Sequence, residues 1–482
     1  MDLSTTDDLL AALGAALGAG GMLTDPADTA AYCEDWRRLY QGRTQAVLRP
    51  ASTEQVAAAV RLCARAGVAI VPQGGNTSMV GGAVPAEDGR QIVLSLGRLN
   101  RVRAIDPLDM TMVAEAGLTL AQAQAAADAA GCKLPLSISA EGSAQIGGVL
   151  ATNAGGNNTI RYGNARDLVL GLEVVLADGE ILHGLRRLHK DNTGYCLRQL
   201  FVGSEGTLGI ITAAVLKLQP RLAAQEVALC AVPSEDAALA LFGRLRAHDS
   251  GALQAFEYMS DAGMGLVLQH VEGTVLPLAG RAAHYALVEL GSPRAEAKLR
   301  EGLETVLAAA LEAGEIGDAA LAESVAQRAA IWRLREEHAE AQKRAGASVK
   351  NDVSVPVSLV PRLIREASAA GAALIPGIRP VPFGHLGDGN IHMNFLQPEG
   401  MDQAAFLARA DDIMGTVNDV VQRLEGSFSA EHGVGRLKPQ MLAAWRGGAE
   451  LAVMRRIKAA LDPAGLLNPG KLLPEPQMST PR

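Results

Sequence analysis

The stretch Val68-Ala69-Ile70-Val71-Pro72-Gln73-Gly74-Gly75-Asn76-Thr77-Ser78 decides how the chain is read. Residues 68–71 are apolar and read as a strand, and the strand runs directly into small residues. Gly74 to Ser78, with Gly81-Gly82 behind them, expose successive backbone N–H groups. Such a concave nest holds phosphate oxygens without side-chain charge. Alone, the run could equally be an ordinary glycine-rich turn. A second block, Glu141-Gly142-Ser143-Ala144-Gln145-Ile146-Gly147-Gly148 followed by Ala151-Thr152-Asn153-Ala154-Gly155-Gly156, shifts the reading. Two loops this rich in glycine suit the two ends of a long ligand, and a dinucleotide has that shape.

Working outward, Ser52 and Gln55 spell a capping box, and Val56, Val60 and Cys63 follow at helical spacing up to Gly67. Residues 111–115 read as a strand and 119–130 as a helix. Strands at 172–176 and 180–182 flank Ala177-Asp178-Gly179, a hairpin signal. From about residue 222 helical periods dominate. One helix is expected after Ser292-Pro293, and another from Ser324, with Gln327 closing its capping box, through Trp332 and Arg335 toward Gln342. Residues 384–395 read as strand, turn, strand. Pro220 and the change of pattern place a domain boundary near 220.

At 482 residues the chain exceeds one ordinary core. With 48% hydrophobic and 20% charged residues it is globular. A net charge of −8 with no basic run disfavours nucleic acid and anionic membrane surfaces as partners. Residues 1–22 carry no Lys or Arg, so a short amphipathic helix is expected there, not a secretory signal. No segment is long and apolar enough to span a membrane. Five scattered cysteines without a CxxC pair point to reduced thiols in a cytoplasmic setting and away from iron–sulfur or zinc-finger sites.

Two phosphate motifs fail. No G-x-G-x-x-G opens a helix, so nicotinamide binding of the Rossmann kind is not expected. Gly465 to Lys471 fits G-x-x-x-x-G-K, but Leu472 stands where Ser or Thr must hold magnesium. A different constellation lies further on. His385-Leu386-Gly387-Asp388-Gly389-Asn390-Ile391-His392-Met393-Asn394 sets two imidazoles on either side of a tight turn, with His392 and Asn394 expected on one strand face. Glu431-His432-Gly433 follows. Two His and one Glu make a three-ligand set with an open position, the catalytic arrangement for a metal such as zinc. The bland alternative is ordinary surface or core histidines.

Together these residues resemble the flavin-dependent D-2-hydroxy-acid dehydrogenases of the vanillyl-alcohol-oxidase-like superfamily, and within it the D-2-hydroxyglutarate dehydrogenases. The likeness extends through Arg161-Tyr162-Gly163, Lys190-Asp191-Asn192-Thr193-Gly194-Tyr195, residues 201–212, Lys350-Asn351-Asp352 and Leu467-Asn468-Pro469-Gly470-Lys471, nearly the whole chain. It implies an α+β fold: an FAD-binding domain of two subdomains (the PCMH type) over 1–220, a substrate cap with an antiparallel sheet and helices over 221–430, and a segment, 431–482, returning to the FAD domain. It implies non-covalent FAD on Pro72, Gly74, Gly75, Asn76, Thr77, Ser78, Gly142, Ser143, Gly147, Gly148, Asn153, Ile210 and Asn468. It implies a divalent metal, usually zinc, on His385, His392 and Glu431, with His432 as catalytic base and substrate contact and Asn394 as another contact. Arg335, Ala339 and Lys350 fall on positions that grip the far carboxylate of 2-hydroxyglutarate. Departures are Ala339, where the family has Thr, and Ser78, where it has Gly. Arg335 and Ala339, four apart, are expected on one helix face; the bland reading of Arg335 and Lys350 is a solvated charge each.

The reaction so implied is oxidation of a 2-hydroxy acid to the 2-oxo acid, with the hydride passing to flavin. D-lactate and glycolate dehydrogenases share most of these motifs, though Lys350 favours a second anionic group on the substrate. A flavin-free metal hydrolase would leave both glycine blocks unexplained, and a pure scaffold would leave the catalytic set unused. The electron acceptor is expected to be an electron-transfer flavoprotein or a quinone, and the oligomer a homodimer.

Overall fold

The computed structural model describes residues 5–474. They form two compact units. The first takes the chain up to Gly156, Gly163–Arg221 and the chain from Glu431 onward; the second takes Asn157–Tyr162 and Leu222–Ala430. The helix expected within 1–22 spans Thr6–Leu17, and residues 1–4 of that expectation lie outside the described residues.

In the first unit, β1 (Met22–Leu23), β2 (Val47–Leu48), β3 (Ile70–Gln73) and β4 (Ile92–Ser95) form a sheet of order β1-β2-β4-β3. β2, β4 and β3 run parallel. A parallel connection needs a crossover, and the helix Thr53–Ala66 supplies the one between β2 and β3. Ser52 Oγ caps its start by accepting from Gln55 N, Gly67 ends it at φ +66°, and Val56, Val60 and Cys63 are buried along one face. β3 therefore delivers the glycine run at its C-terminal end, where ligands of parallel sheets commonly bind.

A second sheet is antiparallel: β5 (Val102–Asp106), β6 (Thr111–Glu115), β7 (Val169–Val175), β8 (Ile181–Gly184) and β9 (Ile210–Lys217), in the order β5-β6-β9-β7-β8. Two buried carboxylates link this sheet to the crossover helix. Arg103 Nε meets Glu115 Oε1 and its Nη2 meets Glu173 Oε1, both at 3.1 Å. Thr53 and Thr212 hydroxyls donate to Glu173 at 2.6 and 3.0 Å.

The second unit is built on seven antiparallel strands: β10 (Ala224–Val232), β11 (Leu253–Ser260), β12 (His284–Ser292), β13 (Asp318–Leu321), β14 (Asp352–Ser354), β15 (Phe383–His385) and β16 (Asn390–His392). Their order is β13-β10-β12-β11-β15-β16-β14. Every residue of β11 is buried. On one face Val227, Leu229, Met259, Tyr285, Leu287 and Phe383 pack with Ile331 and Leu334 of the helix Val325–Glu336.

Three local expectations fail here. β12 continues to Ser292, whose hydroxyl accepts from Arg294 N in a turn, and the helix begins only at Leu299. Pairing of Ser292 with Ala224 outcompetes the N-cap. The helix expected from Ser324 to Gln342 is two, Val325–Glu336 and His338–Ala345, interrupted at Glu337. Ser324 does cap it, but Gln327 Oε1 takes Glu323 N at 2.6 Å, one residue short of a capping box.

Among the described residues, Arg103→Met would leave Glu115 without one of the two arginines it meets and Glu173 without the one it meets. Removing one partner of a buried charge pair costs about 3–5 kcal/mol, so the urea midpoint should fall well below wild type. Burial pushes both carboxyl pKa values up, but hydrogen bonds from Arg101 and Arg103 lower that of Glu115, and those from Thr53 and then Arg103 lower that of Glu173. Their stabilisation is present above the ordinary Glu range and lost as pH falls through the depressed values. The variant's stability should therefore depend less on acid pH; an unchanged midpoint would refute the link.

Candidate functional site

The two glycine blocks meet. A Cβ on Gly75 would lie 1.9 Å from Ser143 O, and one on Gly74 would lie 3.5 Å from Gly148 N and from Gln145 Cβ. No side chain fits at Gly75. Beyond the contact the loops open: a Cβ on Gly142 or Gly148 would touch nothing within 4 Å. The N–H groups of Gly74, Gly75, Asn76, Thr77 and Ser78 reach no acceptor among the described residues. Gln145 Oε1 and Asn468 Oδ1 are buried without a hydrogen-bond partner there.

Two non-glycine residues of these loops hold left-handed backbone, Asn76 (φ +52°) and Asn153 (+51°), as do Glu205 (+52°) and Asn468 (+46°), which lies against the first loop. Each costs on the order of 1 kcal/mol, strain that proteins retain at ligand clamps. Asn468 Nδ2 donates to Gly82 O at 2.9 Å and Glu205 O at 2.8 Å, tying the C-terminal segment to the first glycine loop. Gly147 packs on Ala116, Pro72 on Gly206, and Ile210 is buried at the start of β9. A run of N–H groups that meet no acceptor among the described residues, with amide oxygens likewise left over, fits a dinucleotide carrying phosphates and a ring with polar edges.

In the second unit, β15 and β16 pair His385 with Asn390 and Phe383 with His392. The two histidines are diagonal neighbours on one face, their rings 5.8 Å apart. The segment after the helix Ala410–Arg423 returns along β14: Ser427 pairs with Ser354, and Ala430 N donates to Asp352 O at 3.3 Å. Glu431 follows Ala430 directly. Donor atoms of His385, His392 and Glu431 lie within 4.8 Å of one another, as do those of Asp352, Glu431 and His432. Two imidazole nitrogens and a carboxylate oxygen fit a divalent cation such as zinc.

Glu257 is the residue that sequence reasoning missed. It sits in β11, fully buried, with Oε1 2.7 Å from His385 Nδ1 and Oε2 2.7 Å from Arg335 Nε. Burial pushes its carboxyl up, but the charges of His385 and Arg335 pull harder and bring it to about 2. An ionised carboxylate only accepts, so His385 donates through Nδ1 and keeps Nε2 for a metal. A lone acidic residue inside Leu253-Gln254-Ala255-Phe256-Glu257-Tyr258-Met259 was the available signal.

Arg335 is 7% exposed, lies 4.8 Å over the Phe383 ring and is not a solvated charge. Its Nη groups bond nothing among the described residues. Ala339 is exposed, whereas Arg335 is buried, and it stands in the next helix. Lys350 is half-buried beside Asn351. Asn394 lies two residues past the end of β16. Its Oδ1 accepts from Asn351 N and its Nδ2 donates to Gln342, both at 3.0 Å.

Residues 44–184 match the FAD binding domain model, and residues 221–472 match the model "FAD linked oxidases, C-terminal domain". The chain belongs to the FAD-linked oxidases. A D-2-hydroxyglutarate dehydrogenase of Xanthomonas citri pv. viticola is 41% identical over 97% of each chain. The mitochondrial D-2-hydroxyglutarate dehydrogenase of Bos taurus is 38% identical over 97% of this chain and 84% of that one. Among solved structures, p-cresol methylhydroxylase superposes with a TM-score of 0.75 at 18% identity, covering 97% of this chain and 96% of that one. The FAD-linked oxidase fold is thus the α+β, vanillyl-alcohol-oxidase-like one, with a PCMH-type FAD-binding domain. No helix among the described residues is long and apolar enough to cross a membrane.

Because a methyl at residue 75 would collide with Ser143 O, Gly75→Ala must part the two glycine loops. The purified variant should carry far less FAD than wild type, read as the flavin-to-protein absorbance ratio. A full flavin complement would show that this contact does not shape the FAD site.

Proposed function

We propose that the protein oxidises a D-2-hydroxy acid, D-2-hydroxyglutarate or a similar dicarboxylate, to the 2-oxo acid. The reading rests on one observation above the others: His385, His392 and Glu431 converge while Glu257 fixes which nitrogen His385 offers. When bound, FAD accepts the hydride leaving C2, and a divalent cation makes the substrate hydroxyl more acidic. His385, His392 and Glu431 hold the cation. His432, beside Glu431, takes the hydroxyl proton, a task suited to imidazole near neutral pH. Asn394, held by Asn351 and Gln342, orients the substrate through its remaining hydrogen-bonding capacity.

Arg335 and Lys350 receive the distal carboxylate. Glu257 uses Arg335 Nε only, which leaves the Nη fork for an anion. FAD is held without a covalent link, because residues 72–85 contain neither His nor Cys to form one. An electron-transfer flavoprotein or a quinone reoxidises the flavin, the site of action is the cytoplasm, and the assembly is a homodimer. The exposed Ala339, lacking the hydroxyl of a threonine, favours a second reading in which a smaller acid such as D-lactate is the substrate.

Anaerobic bleaching of the flavin separates the two. D-2-hydroxyglutarate should reduce it far better than D-lactate. A hydrogen bond to a charged group contributes about 1.5–3 kcal/mol, so Lys350→Ala should lower kcat/KM for the diacid roughly 10- to 150-fold and change D-lactate little. Equal weakening of both acids would remove the distal-carboxylate role, and the dicarboxylate assignment with it.

A further inference from the structure

Glu205 holds a left-handed conformation, φ +52°, that a glutamate has no local reason to adopt. Asn tolerates that region through its short side chain, and Gly does so freely, but Glu gains nothing from it. The strain has to be offset by what the residue bonds. Its backbone N donates to Ala151 O at 2.8 Å, and its backbone O accepts Asn468 Nδ2 at 2.8 Å. Its carboxylate is buried and takes two successive N–H groups, Val434 N on Oε1 and Gly435 N on Oε2, each at 2.7 Å. Glycines flank the gripped Val434: a Cβ on Gly433 would stand 2.7 Å from Oε1, and Gly433 and Gly435 lie at φ +78° and +51°. Gly435 in turn packs against Val80 O, just beyond the first glycine loop.

We propose that Glu205 is the positioning residue for His432: its two carboxylate oxygens fix the Gly433–Gly435 turn and so the direction from which the imidazole enters the site. This rests on the reading of His432 as the base. Both oxygens act as acceptors, so only a carboxylate of this reach serves. A glutamine would turn one acceptor into a donor facing an N–H, and an alanine would release both. The bonds run from one side chain to the backbone beside the base, and neither touches the residues assigned to the cation or to the distal carboxylate. The expected effect therefore falls on proton removal and not on substrate affinity.

The test is stopped-flow flavin reduction by D-2-hydroxyglutarate in the holoenzyme, comparing wild type, Glu205→Gln, His432→Ala and the double variant. A misplacement near 1 Å can cost on the order of 10²-fold in rate. Glu205→Gln should slow reduction by that order with KM and FAD content near wild type. In the His432→Ala background it should add almost nothing, because both changes act on one group. A wild-type reduction rate in Glu205→Gln, or a loss that multiplies fully with that of His432→Ala, would overturn the proposal. If His432→Ala itself reduces at the wild-type rate, the base assignment fails instead, whatever Glu205 does. Should Glu205→Gln not fold, Gly433→Ala presses on the same contact and should show the same dependence on His432.

Discussion

A carboxylate in the middle of a strand buried on both sides is the constraint around which the second unit is arranged. Left alone, Glu257 would cost several kcal/mol of desolvation. Its two oxygens are instead matched one to one by His385 Nδ1 and Arg335 Nε. That matching settles much else. His385 must turn its other nitrogen toward His392 and Glu431. Arg335 lies over Phe383, whose ring meets both His338 and His392 at 4.9 Å between centroids in tilted contacts. Burial first and the Arg335 charge second push the His338 imidazole down to about 3, so it adds no competing cation. The direction of the His385 ring is thereby set by core packing, which is how a cluster gains rigidity without extra loops.

The first unit solves a different problem with different means. It offers an anionic, elongated ligand mostly backbone, because N–H groups placed by glycines hold phosphate oxygens at close range without a flexible side chain. The cost appears as strained asparagines and a strained glutamate, and as amide oxygens without partners. The Arg103, Glu115 and Glu173 cluster keeps the crossover helix seated, and with it the strand that feeds the loop.

What could be read from the sequence was what is local. The glycine blocks, the Ser52 cap, the strand at 111–115, the strand read at 172–176 and found to begin at Val169, and the two-histidine turn all announce themselves within about ten residues. What could not be read depends on partners far away in the chain. Glu257 meets His385 across 128 residues, and Glu205 meets Val434 across 229. Ser292 looked like a helix cap because its strand partner, Ala224, is invisible to a local pattern. The helix through Arg335 breaks at Glu337, and no glycine or proline marks the break. The partners of the Asn394 amide, Asn351 and Gln342, are likewise 43 and 52 residues away.

The central claim is that the His385, His392 and Glu431 grouping is a working metal site in a flavin-linked oxidation. It is tested most directly by following anaerobic flavin reduction by D-2-hydroxyglutarate in protein stripped of divalent metal by a chelator, with metal content measured by elemental analysis. The account predicts that stripped protein retains FAD but fails to bleach, and that restoring zinc or another divalent cation restores the rate in wild type and not in His385→Ala. Full-rate bleaching by metal-free wild type would contradict it.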